Sequence, residues 1–234
     1  MDEIGRAFFA AATLLITGDG DLYAIAARSL FVTLTAIAIA AALGLPLGAW
    51  LALRRFPGRR AVIATLNALM GLPPVVVGLT LYLLLSRSGP LGALGLLYTP
   101  WAMIAAQVVI ALPIVASIAH QSLRELWAEY HDLLIALNAS PGQRLRTLLW
   151  DGRRALLTAV LAGFGRAIGE VGAVMIVGGN IDHVTRVLTT AIALETSRGD
   201  FALALGLGIV LLTLALAVNL GVHGLARTER RGRW

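Results

Sequence analysis

Four stretches of the chain, 29–53, 61–86, 88–123 and 201–226, contain no charged residue. Each is long enough to hold the roughly 20 apolar residues that cross a bilayer as a helix. Inside hydrocarbon every backbone N–H and C=O must be satisfied within the segment itself, so apolar runs of this length are helices and not open strands. The chain as a whole is 58% hydrophobic and only 14% charged, far from the roughly 45–50% and 25% of soluble domains. The reading is an all-α integral membrane protein with five transmembrane helices, Ala24–Leu53, Ala61–Ser86, Trp101–Ala119, Ala155–Gly179 and Phe201–His223. Residues 4–17 are apolar but reach only about 21 Å as a helix, so they are expected to lie in the interface. No basic stretch precedes them, which argues against a cleaved signal peptide. The organisation is then an N-terminal interfacial segment over 1–23, a transmembrane domain over 24–224 with a polar link at 120–154, and a basic tail over 225–234.

The same inventory excludes several chemistries. All nineteen basic residues are Arg, and a phosphate-binding loop of the Walker type needs a Lys to reach the β/γ-phosphates, so the chain carries no ATPase of that kind. There is no Cys, hence no disulfide, thiolate metal site or cysteine nucleophile. The histidines His120, His131, His183 and His223 lack metal-ligand spacing and read as loop or interfacial residues. Gly18-Asp19-Gly20-Asp21 spells a GxGD motif, but intramembrane aspartyl chemistry needs two aspartates inside spans, and no span contains one. No GxSxG is present. No catalytic or metal-ligating residue is therefore assigned. The net charge of +6 does not indicate nucleic acid, because the arginines flank apolar runs instead of forming one solvated patch.

Their distribution sets the topology. Thirteen arginines fall on one side of the membrane: Arg54, Arg55, Arg59 and Arg60 in the first link, Arg124, Arg144, Arg146, Arg153 and Arg154 in the third, and four in the tail. The other side has five, with seven of the thirteen acids. By the positive-inside rule the 120–154 link and the C-terminus are cytoplasmic and the N-terminus is outside.

That link reads as a helical hairpin. Asn138 suits the left-handed residue that ends a helix, and Ser140-Pro141 is an N-cap followed by the first helical position of a new one. The segment 132–160 resembles the EAA loop of permease subunits of type I ATP-binding-cassette importers. Asp132, Leu133, Leu134 and Asn138 stand where that pattern has Glu, small residues and Gly. The strings FGRAIGEVGAVMIVGGNI (164–181), TRVLTTAIALET (185–196), MGLPPVVVGL (70–79) and LLSRSGPLG (84–92) resemble the permeases of tungstate importers closely, and those of molybdate and sulfate importers more loosely. The resemblance implies the MetI-like permease fold, a homodimer, a separate pair of ATPase subunits that use the ATP, an extracytoplasmic binding protein and an oxyanion cargo, in a bacterial or archaeal cytoplasmic membrane. No cofactor is bound by the chain itself. It also implies that Asp132, Asn138, Ala139, Ser140, Pro141, Gly142, Gln143 and Arg144 form the turn that docks into the ATPase. The alternatives are a molybdate or sulfate permease, or an ATP-independent channel or carrier.

Within the spans the charged residues away from the ends are Arg166 and Glu170. Charges at such depth are expensive and pair or face water, and i, i+4 spacing on one helix allows the pair. Either it locks packing or it gates a central path. Ala162, Gly165, Gly169, Gly172 and Gly179 form a small-residue stripe expected to let helices approach closely, as does Gly44-Leu-Pro-Leu-Gly48. Pro73-Pro74 is expected to kink the second span. Asn180, Thr185, Arg186, Thr189 and Thr190 offer neutral or cationic donors to a passing oxyanion.

Overall fold

A computed structural model describes Gly5 and residues 20–228; apart from Gly5, the expected interfacial helix at 4–17 lies outside the described residues, as do the last six residues of the tail. Among the described residues the chain is helical without strands: α1 Gly20–Leu53, α2 Arg59–Leu69, α3 Pro74–Leu85, a 3-10 turn Gly92–Leu94, α4 Pro100–Ala136, α5 Pro141–Asp151, α6 Arg153–Ile168, α7 Gly172–Gly178, α8 Leu188–Arg198 and α9 Phe201–Thr228. Three helices are long and apolar enough to span, Gly20–Leu53, Pro100–Ala136 and Phe201–Val222, and the count reaches five when each of two bent pairs, α2 with α3 and α6 with α7, is one span. This agrees with the five spans expected from hydropathy, with three differences of detail.

The second span is interrupted, not kinked. α2 ends at Leu69 and α3 opens at Pro74, because a proline at the first helical position loses no hydrogen bond whereas one inside the helix does. The fourth span is interrupted as well, between Ile168 and Gly172. The third span does not end at Ala119: α4 runs unbroken for 37 residues, about 55 Å, and carries the chain well past a roughly 30 Å hydrocarbon core.

The chain forms two compact units. The first comprises the described residues of Met1–Leu34, Pro74–Gln107 and Ile168–Trp234. In it α3 packs on α7 and α8 on α9, with a core of Leu22, Leu188, Ala191, Leu207 and Val210. A Cβ on Gly78 would stand 2.8 Å from the Ala173 Cα, so those two backbones touch.

The second unit comprises Thr35–Pro73 and Val108–Ala167. The middle of α4 is gripped there. A Cβ on Gly48 would fall 2.7 Å from the Ala116 carbonyl oxygen, and one on Gly163 2.8 Å from the Val115 Cγ2. The Gly44–Gly48 pair thus does what its spacing predicts. The stripe expected around Gly165 and Gly169 does not: both are exposed, with nothing within 4 Å of an added Cβ. The break after Ile168 ends the helical phase that would have aligned the stripe, and Gly163, outside it, makes the close contact.

Candidate functional site

The polar hairpin in the second unit is built by local hydrogen bonding. α4 terminates in a Schellman turn: Asn138 takes φ 50, its N–H donates to the Ile135 carbonyl at 2.9 Å, and the Ala139 N–H donates to that of Leu134 at 3.0 Å. Ser140 then caps α5. Its hydroxyl accepts from the Gln143 N–H at 3.4 Å, and its own N–H donates to Gln143 Oε1 at 2.7 Å, closing a capping box with Pro141 next in line. Arg144 Nε donates back to the Ala139 carbonyl at 2.8 Å. Seven of the eight residues expected to dock the ATPase therefore form one locally determined turn; Asp132, fully exposed and 2.8 Å from His131 Nδ1, lies on the preceding helix.

One side of the hairpin is anchored. Leu148 on α5 is fully buried against Leu123, Ala49, Ala52, Ala119 and Leu156. Gly152 fits between α5 and α6 because an added Cβ would meet the Leu148 carbonyl at 2.7 Å and Leu126 at 3.0 Å. The other side leaves apolar groups uncovered: Leu137 is 67% exposed and Leu133 59%, and Ile135, Leu145 and Trp150 are exposed too. The Arg153 guanidinium stacks on the Trp150 ring at 4.7 Å. A short polar link that shows this many large apolar side chains has the composition of a contact surface.

In the first unit, the loop between α7 and α8 is made the opposite way. Gly179 takes φ 71, and a Cβ there would stand 2.8 Å from the Tyr98 ring, so only Gly fits. Thr185 is fully buried; its hydroxyl donates to the Gly178 carbonyl at 2.5 Å and accepts from the Ile181 N–H at 2.9 Å. The Thr189 hydroxyl donates to the Glu170 carbonyl at 3.0 Å, and that of Thr190 to the Val187 carbonyl at 3.0 Å while accepting the Val187 N–H. The expectation that these three threonines offer donors to a passing anion is corrected here: each hydroxyl hydrogen is already committed to a backbone carbonyl. Arg186 and Asn180 differ. Arg186 holds Asp182 at 2.9 Å, yet its Nε is buried with no partner among the described residues; Asn180 Oδ1 is likewise without one there, but it is an acceptor.

Glu170 is 3% exposed. It sits in the break before α7, where its Oε1 accepts from the Ala173 N–H at 3.1 Å, so a carboxylate caps the new helix where N–H groups would otherwise be orphaned. Arg166 lies in the last turn of α6; because that helix ends at Ile168, the two residues do not share the single continuous helix assumed from their spacing. Two residues escaped the sequence reading. Arg28 forks onto the carbonyls of Arg186 and His183, both at 2.8 Å, and the Ser29 hydroxyl accepts from the Leu188 N–H at 2.7 Å. Arg28 was visible only as a charge near the start of a span, with nothing to say which backbone it would hold.

A helical membrane subunit with an anchored polar hairpin that leaves an apolar side uncovered fits the class of transporter components, and the comparison with known families makes that class specific. The chain belongs to the family of binding-protein-dependent transport system inner membrane components, whose pattern matches residues 44–231. It is a permease subunit, a transport component and not an enzyme, and it functions with a binding protein. It is 41% identical to the tungstate uptake system permease protein TupB of Peptoclostridium acidaminophilum, over 96% of this chain and 99% of that one. It is 42% identical to a probable anion ABC transporter permease protein of Haloferax volcanii, over 91% of this chain and 94% of that one. The sulfate transport system permease protein CysT of Escherichia coli is 31% identical, over 78% of this chain and 69% of its own length.

Proposed function

We propose that the chain is the permease of an ATP-driven importer of tungstate, working as a homodimer with a pair of separate ATPase subunits and an extracytoplasmic binding protein. The observation that carries the cargo is the 41% identity to a tungstate uptake permease over nearly the whole of both chains, against 31% and partial coverage for a sulfate permease. The arginine distribution supports an orientation with the 120–154 link and C-terminus cytoplasmic and the N-terminus outside.

In this reading Asn138, Ala139, Ser140, Pro141, Gly142, Gln143 and Arg144, with Asp132, dock on the ATPase, and the exposed Leu133 and Leu137 seat in it. Closure of the ATPase pair moves two such hairpins, and each carries Leu148 and its packed neighbours with it. The permease alternates between inward-open and outward-open states whose relative populations are set by differential contacts with ATPase and binding protein. Arg166 and Glu170 gate the path, and Asn180 and Arg186 face the anion at its mouth, while Thr185, Thr189 and Thr190 hold the loop that presents them. Gly165, exposed and without a neighbour, leaves room for a second helix backbone at the dimer contact.

The experiment is uptake of labelled tungstate by cells expressing the permease with its encoded partners. ATP-dependent accumulation that excess molybdate and sulfate fail to displace is the expected result. Displacement by sulfate at equal concentration reassigns the cargo, and accumulation that continues without ATP removes the importer class.

A further inference from the structure

In the second unit, two stripes of polar residues line adjoining cavities. Ser117, His120, Gln121 and Arg124 on α4 are spaced i, i+3, i+4 and i+7, hence on one face. With Asn67 of α2 they line a cavity of about 460 Å³. A second, of about 980 Å³, shares Asn67 and Arg124 with the first and adds Arg55, Arg59 and Arg60.

The donors are set for an acceptor that the protein does not supply. Ser117 is 9% exposed and its hydroxyl has no partner among the described residues, whereas a helical Ser ordinarily bonds back to its own backbone. Arg59 donates from Nε to the Leu51 carbonyl at 2.7 Å, and its Nη2 lies 3.2 Å from His120 Nε2. A guanidinium only donates, so Nε2 accepts and the His120 proton is on Nδ1, making that ring a donor as well. Among the described residues none of Arg55, Arg59, Arg60 or Arg124 forms an ion pair. Two carboxylates also stand at the cavity walls, each held by a neighbour on the same helix: Glu125 accepts from Gln121 at 3.2 Å and Asp132 lies 2.8 Å from His131. The positive-inside rule explains the number of arginines here; it does not explain a buried hydroxyl and an imidazole on the same face as Arg124.

We infer that this paired cavity is an oxyanion site on the arginine-rich side of the membrane, taking a tetrahedral dianion between Arg124, Asn67 and the Ser117–His120 face. Naming the cargo oxyanion as its occupant rests on the import reading above; a phospholipid phosphate offers the same oxygen chemistry.

The test is calorimetric titration of the full-length protein with sodium tungstate in phosphatidylcholine nanodiscs, and in a second arm containing phosphatidylglycerol. Saturable binding of one anion per chain is expected, weakened roughly tenfold by Arg124→Gln, which deletes a charge-assisted contact, and less by Ser117→Ala, which deletes a group with no structural partner. Arg54→Gln, in the same basic link but lining neither cavity, is expected to bind like the unaltered chain. Tungstate binding that phosphatidylglycerol suppresses supports the site and identifies the lipid phosphate as its occupant. Absence of saturable binding in both lipids, or equal weakening by Arg54→Gln, overturns the inference. Uptake measured in parallel separates the two claims: tungstate uptake without binding sinks this site alone, and binding without uptake sinks the import reading alone.

Discussion

The hairpin around 137–144 and the loop at 179–187 are both turns between helices, and they handle their side chains in opposite ways. In the hairpin the backbone satisfies itself through Asn138, Ser140 and Gln143, which leaves Leu133 and Leu137 facing out. In the loop and the first turn of α8 the side chains of Thr185, Thr189 and Thr190 are consumed by nearby backbone carbonyls and buried. A turn that needs nothing from its apolar side chains has them free for another protein. A turn that spends its polar side chains on its own carbonyls has made itself rigid and has little left for a ligand.

The sharpest way to break that contrast is to charge the hairpin. Leu133→Glu combined with Leu137→Glu is expected to lower ATP-driven uptake on the order of a hundredfold, equivalent to about 2.7 kcal/mol of docking energy, while thermal unfolding of the permease moves little because surface changes of this kind stay within about 0.5 kcal/mol. A large drop in unfolding temperature would show that these side chains serve the fold. In the loop the converse holds. Thr185→Val strands a buried carbonyl and a part-buried N–H, so a loss of about 2 kcal/mol in stability is expected, read as a fall in unfolding temperature; uptake measured per folded molecule is expected to be retained. Glu170→Gln keeps an oxygen for the Ala173 N–H and removes the charge. Uptake is expected to fall roughly tenfold, about 1.4 kcal/mol, with assembly intact by size exclusion, and unchanged uptake would remove the gating role. The smallest effect is expected from Ser140→Ala. Loss of the N-cap costs about 1 kcal/mol, and a modest drop in uptake should be restored by Ser140→Asp, which caps equally well.

Much of the hairpin was legible because its determinants are local. Ser140 before Pro141 and Asn138 three residues after Ile135 specify caps through residues that are neighbours in sequence, and the structure has them there. The close packing at Gly48 was legible for the same reason, since small residues four apart carry their own geometry. The breaks were harder to see. A run of apolar residues from Ala155 to Gly179 gives no sign that α6 stops at Ile168, because both sides of the break are equally hydrophobic and Glu170 looks like an intruder in a helix when it is the cap of the next one.

The sequence by itself determined that the protein is a bundle of membrane helices, how its arginines are divided, and where its polar hairpin turns, since hydropathy, charge and capping act over a few residues and do not depend on distant partners. Only tertiary structure decided that Thr185, Thr189 and Thr190 are struts, that Arg28 clamps the carbonyls of His183 and Arg186, and that Ser117, His120 and Arg124 border one cavity with Asn67. Whether a polar group is spent or available depends on which acceptor the fold brings within about 3 Å, and hydropathy does not say whether that acceptor is the neighbouring turn, as for Thr190, or a carbonyl far along the chain, as for Arg28.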